Sequence, residues 1–149
     1  MRTLAHRKAS VKLLKHVTEQ MIRKWDMQSV DWMGYKKGNN DIFTFHHLIV
    51  PNRDGGPYAM WNGAILCGKT AHPYLHLIEY VDFETFCYIT SLLIDQNALG
   101  RLDLEIIKEI DFVLKRFEKK NEGRRNKRGR LLIKPEYTIR DYSSLNVLK

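Results

Sequence analysis

Between residues 104 and 117 the apolar side chains Leu104, Ile107, Ile110, Leu114 and Phe117 return at intervals of three and four. Only a helix gathers such a set onto one stripe, because a turn closes every 3.6 residues. Val11, Leu14, Val17, Met21 and Trp25 repeat the spacing and predict a second helix over about residues 10–25. Two long stripes must be buried against something other than themselves. The strand-like stretches available for this are few and short. Residues 42–49 are aromatic and β-branched and end before Pro51, and residues 64–67 form a brief apolar run stopped by Gly68. The expected class is therefore α+β, a small hairpin packed among amphipathic helices.

Punctuation residues divide the rest. Residues 26–40, with Gly34, Gly38 and Asn39-Asn40, read as loop, and Arg53-Asp54-Gly55-Gly56-Pro57 reads as a turn. Pro73 suits a first helical turn, where no N–H is needed, and predicts a helix over about 73–80. Asp82 can cap another over about 83–96, carrying Phe83, Phe86, Ile89 and Leu93 and ended by Gly100. Asp103 can cap the long stripe described first, which should fray near 121–125. Residues 131–133 form a candidate edge strand, and the end of the chain is expected to be loosely held. The 149 residues suit a single domain. Within it lie a basic helix and loop (1–40), a central unit (41–80), two helices (82–120) and a basic segment with its tail (121–149).

Charge is distributed unevenly. Residues 1–24 carry a net +6 and residues 115–134 a net +8, while residues 25–114 carry −6. Two basic flanks around an acidic middle point to a polyanion held by the ends of the chain. Lys119, Lys120, Arg124, Arg125, Lys127 and Arg128 are the candidate phosphate contacts, with an acidic protein partner as the alternative. Trp25, Trp32, Tyr35 and Trp61 are read as core residues in preference to base-stacking ones. No apolar run reaches the roughly 20 residues of a membrane span. The basic N-terminus lacks the apolar segment of a signal peptide. Cys67 and Cys87 form no C-x-x-C pair, so Cys67 is read as a core thiol in a reduced, intracellular, soluble protein.

The six histidines carry the chemical signal. His6 and His16 sit in the basic N-terminal region and are read as surface residues. His46 and His47 are adjacent on a strand, so they face opposite ways. His72 and His76 are four apart, which sets both imidazoles on one side of a helix. Two helical imidazoles and one from a strand make a three-nitrogen site with open positions, as a catalytic metal requires.

The ordered set Phe45-His46-His47-Leu48-Ile49-Val50-Pro51, Gly55-Gly56, Asn62, Leu66-Cys67 and His72-x-x-x-His76 resembles the signature of HNH (ββα-metal) endonucleases. The double histidine and the closing His-x3-His most resemble the colicin-type variant. The resemblance covers about a fifth of the chain. It implies a β-hairpin and helix around one divalent metal ion (Mg, Mn, Zn or Ni), held by His46, His72 and His76. It implies that His47 is the general base and that Asn62 orients it by binding the loop backbone. The implied activity is hydrolysis of DNA phosphodiester bonds in the cytoplasm. Small stand-alone proteins of this look are often encoded by phages or other mobile elements. Arg53 in the turn and Lys69 before the second histidine pair are further candidate phosphate contacts, each also explicable as a solvated side chain. Two rival readings keep the metal site without cleavage: an inactive HNH-fold protein that grips nucleic acid or a partner, and a metal-binding regulator.

Overall fold

A computed structural model describes residues 4–148. Residues 1–3 and 149, and the side chains of His6 and of residues 146–148, lie outside the description. The surface reading of His6 falls there. The described residues form four α-helices and one antiparallel hairpin, a single-domain α+β fold. In order these are α1 (Leu4–Lys24), β1 (Phe43–His47), β2 (Gly63–Cys67), α2 (Ala71–Val81), α3 (Phe83–Leu99) and α4 (Leu104–Lys120).

The helix boundaries follow from local chemistry. Asp82 accepts hydrogen bonds from the N–H and hydroxyl of Thr85 at the start of α3, and Asp103 accepts from the N–H groups of Glu105 and Ile106 at the start of α4. Each satisfies donors that the first turn leaves without partners. Gly100 ends α3 in the left-handed region at φ 69°. Pro73 is the third residue of α2, where its missing N–H costs nothing. The stripe of α4 is buried as expected, with Leu104, Ile107, Ile110, Leu114 and Phe117 all in the core. In α1 only the later half of the stripe packs: Val17 and Met21 are buried, and so is Trp25 just beyond the helix, while Val11 is exposed.

β1 pairs with β2 so that Thr44 faces Leu66, His46 faces Ala64 and His47 faces Gly63. β2 is buried along its whole length, because helices cover it and its second edge is not open. The loop after α1 covers that edge. The Trp32 N–H donates to the Ile65 carbonyl, and the Asp31 carboxylate accepts from the N–H groups of Cys67, Met33 and Tyr35. Residues 26–40 are therefore loop as expected, and Trp32 and Tyr35 are core residues as expected, with Asp31 and Met33 buried as well. Covering a sheet edge removes an unpaired row of backbone groups. Gly63 has no room for a side chain, since a Cβ there would lie 2.2 Å from the Phe45 ring.

Three expectations are corrected. Trp61 is not a core residue: it is half exposed, because in the short turn Met60–Asn62 its neighbour Asn62 takes the inward position. Residues 131–133 form no strand. A single bridge, Arg125 to Leu131, closes a tight turn in which the Asn126 side chain accepts from the N–H groups of Arg128 and Arg130. The segment after it is not loosely held as far as Leu145. The Arg140 side chain is buried, paired to Glu118 at 2.8 and 3.0 Å and to Asp111 at 2.6 Å, and Tyr137 and Leu145 are buried, the latter against Val30, Leu104 and Ile107. A buried guanidinium is tolerated only with such partners.

Candidate metal centre

Strand alternation determines which histidine goes where. On β1, Thr44 and His46 share the face toward α2, and Phe45 and His47 share the other. His46 sits with its ring 5.2 Å from both His72 and His76, whose own rings are 5.1 Å apart. One ligand nitrogen from each of these three residues lies within 4.8 Å of the other two. They are close enough to bind a metal ion. Metal–nitrogen bonds of about 2.0–2.1 Å span up to about 4 Å across an ion, so small rotations of the exposed His76 ring close the set.

Hydrogen bonds fix which nitrogens face inward. The Thr44 hydroxyl donates to the Leu66 carbonyl at 2.8 Å, so toward His72 Nδ1, 2.7 Å away, it can only accept. His72 Nδ1 therefore carries the proton and Nε2 keeps its lone pair. Glu79 plays the same part for His76, whose Nδ1 lies 3.2 Å from its carboxylate. Such outer partners orient metal-binding imidazoles. The third imidazole supplies the test of fit. His46 Nε2 is buried and has no hydrogen-bond partner. A buried polar atom without a partner costs free energy unless something binds it. A metal ion held by His46, His72 and His76 satisfies that atom with the donor set an imidazole-rich site requires.

Burial disfavours the charged form of these rings. It lowers His46 well below the usual histidine range, with the neighbouring imidazoles adding to the effect, and it lowers His72 to about 4. Both are neutral near pH 7, the state in which a ring nitrogen ligates.

His47 lies on the opposite face of β1, against Phe45 and Tyr58 at ring separations of 5.0 Å. Its Nε2 is 3.1 Å from the Gly56 carbonyl, to which it can only donate, so the free lone pair is on Nδ1. Burial lowers its pKa too, against the raising effect of that hydrogen bond. Asn62 fixes the intervening loop: its Oδ1 accepts from the N–H groups of Ile49 and Val50, and its Nδ2 donates to the carbonyls of Val50 and Pro57. Gly56 is pressed against the Val50 carbonyl, where a Cβ would lie 1.9 Å away. The carbonyl that holds His47 thus belongs to the loop that Asn62 ties down.

The remaining candidates are spread more widely. Arg53 is exposed on the wall of a groove that also reaches the four histidines. Lys69 is exposed but does not line that groove. Lys119, Lys120, Arg124, Arg125, Lys127 and Arg128 are all exposed, at the end of α4 and on the tight turn after it, outside the groove. His16 is a surface residue as expected, and Cys67 is a buried free thiol. Thr44 and Glu79 were not among the expected residues, although each had a signal. Thr44 is two before His46 on a strand, and Glu79 is three after His76 on a helix, positions that share a face. No helix among the described residues is long and apolar enough to cross a membrane. Comparison with protein-family models, curated proteins and solved structures gives no match to this chain.

Proposed function

We propose that this chain is a metal-dependent endonuclease of the HNH type that hydrolyses DNA phosphodiester bonds. The observation that carries the reading is the convergence of three imidazoles on the partnerless Nε2 of His46, with a fourth, His47, held on the other face of the same strand. A sensor or a structural site has no use for that fourth residue; a hydrolase needs a base.

A divalent ion bound by His46, His72 and His76 would stabilise charge on the scissile phosphate and the leaving oxygen. Imidazole donors suit zinc, nickel or manganese better than magnesium, which prefers oxygen. His47 is uncharged at neutral pH, and the Gly56 carbonyl keeps its Nδ1 lone pair free. It accepts the proton of the attacking water as the new P–O bond forms and the old one breaks. Asn62 acts at one remove, by fixing the loop that holds His47 in register. The exposed basic turn after α4, with Arg124, Arg125, Lys127 and Arg128, supports DNA as the polyanion, and Arg53 is suited to meet a phosphate near the metal.

Incubation of supercoiled plasmid with the protein and magnesium, manganese, zinc or nickel tests the reading. Nicking or cutting that needs at least one of these ions and stops with a chelator is expected. No cleavage with any of them, or cleavage indifferent to the chelator, refutes it.

A further inference from the structure

A groove of about 1080 Å3 runs from α1 across β1 to the first turn of α3 and opens onto all four histidines. Its chemistry does not match the rest of a basic protein. Apart from the histidines, its charged side chains are Lys15, Lys37 and Arg53 against Glu19, Asp41 and Glu79, an even balance. Between them the walls are apolar, with Val11, Leu14, Ile42 and Phe43. An aromatic line leads inward from the rim. Phe83 is exposed and stacks on Phe86 at 5.8 Å and 26°, and Phe86 meets the His46 ring edge-on at 6.4 Å. Beyond β1 the line resumes with His47 and Tyr58.

From this we infer that the strand reaching the metal centre is unpaired DNA, its bases lying along the groove, an inference that rests on the nuclease reading above. A duplex hides the faces of its bases inside the stack and presents phosphates, which call for an excess of cations. This groove has no such excess. An unpaired strand exposes flat apolar faces that stack on aromatic side chains whatever the sequence, while a few cations follow its backbone. Apolar walls, an aromatic rim and the few cations Lys15, Lys37 and Arg53 in the lining meet those needs together. Exposed Phe83 and Ile42, which a chain with nothing to bind there would leave in water, are then covered by bases.

The experiment uses one labelled oligonucleotide, alone and annealed to its complement. Binding is followed by fluorescence anisotropy in chelator, and cleavage with magnesium, manganese, zinc and nickel in turn. The single strand should bind and be cut at least about tenfold better than the duplex. Phe83→Ala should weaken the single strand about tenfold, the effect of removing one base–aromatic stack, and leave the duplex unchanged. Phe83→Trp should restore it. Equal or better handling of the duplex, or equal weakening on both substrates in Phe83→Ala, overturns the inference. If neither substrate is cut with any ion, the nuclease reading fails, and the anisotropy preference still decides the nature of the strand.

Discussion

Asn62 is fully buried, and its amide makes four hydrogen bonds to the backbone of the loop between the strands. Asn62→Ala leaves two N–H groups and two carbonyls there without these partners. A loss of ~3 kcal/mol is expected in urea unfolding with little change in slope, since each buried group left unsatisfied costs about 1–3 kcal/mol. A loss below about 1 kcal/mol would mean that water replaces the amide easily and that the loop is not held by it. At this scale sequence reading succeeded where a residue's role depends on its neighbours along the chain. The opposite facing of His46 and His47 follows from strand alternation, and the pairing of His72 with His76 from the helical turn. It failed for Trp61, because which of two adjacent turn residues points inward is decided by the Asn62 hydrogen bonds and not by hydrophobicity. It also missed Asp31, whose pKa burial raises to about 6 and which, besides the nearby Met33 and Tyr35 N–H groups, accepts from the Cys67 N–H on a strand far along the chain.

Among the elements, the helices were the most legible, because stripe and cap agree for α4 and cap and terminal glycine agree for α3. Residues 26–40 show the limit of that reading. Their composition is that of a loop, and the aromatic side chains Trp32 and Tyr35 were legible as core, but the burial of Asp31 and Met33 depends on the free edge of β2, and no local pattern encodes an edge to be covered. The element after α4 carries a separate prediction. Its turn is held by Asn126 and by the single bridge from Arg125 to Leu131, with Arg124, Arg125, Lys127 and Arg128 all exposed. Changing these four to Gln should weaken DNA binding about equally for unrelated sequences. It should also flatten the log–log salt dependence by up to about 0.9 for each phosphate that is no longer neutralised. An unchanged slope would assign the turn to a protein partner or to solvent and shift attention to Arg7, Lys8, Lys12 and Lys15 on the exposed surface of α1. Because the turn's hydrogen bonds come mainly from Asn126 and the backbone, the substitutions should leave its shape intact, apart from the hydrogen bonds that Arg124 donates to the Asn121 side chain and Arg125 to the Gly129 carbonyl.

The whole molecule separates two tasks. The acidic middle of the chain builds the hairpin, α2 and α3, and with them the histidine centre, while the basic flanks supply surface charge. The fold class and the clustering of His46, His72 and His76 were readable because the three lie within a short stretch, on a strand and a helix whose periods decide which side chains share a face. The anchoring of the tail was not, since Arg140 reaches Asp111, Glu118 and Tyr35 across long intervals of sequence. The central claim is that three histidines hold the metal and the fourth moves the proton. It predicts that the two functions separate in one variant. Wild-type protein and His47→Ala, compared for metal stoichiometry by calorimetric titration and for plasmid cleavage in the same buffer, measure this directly. His47→Ala should still take up one ion per chain while cleavage falls by about a hundredfold or more, the loss expected of a missing general base. Cleavage by His47→Ala near the wild-type rate, or no ion bound by either protein, would contradict the account.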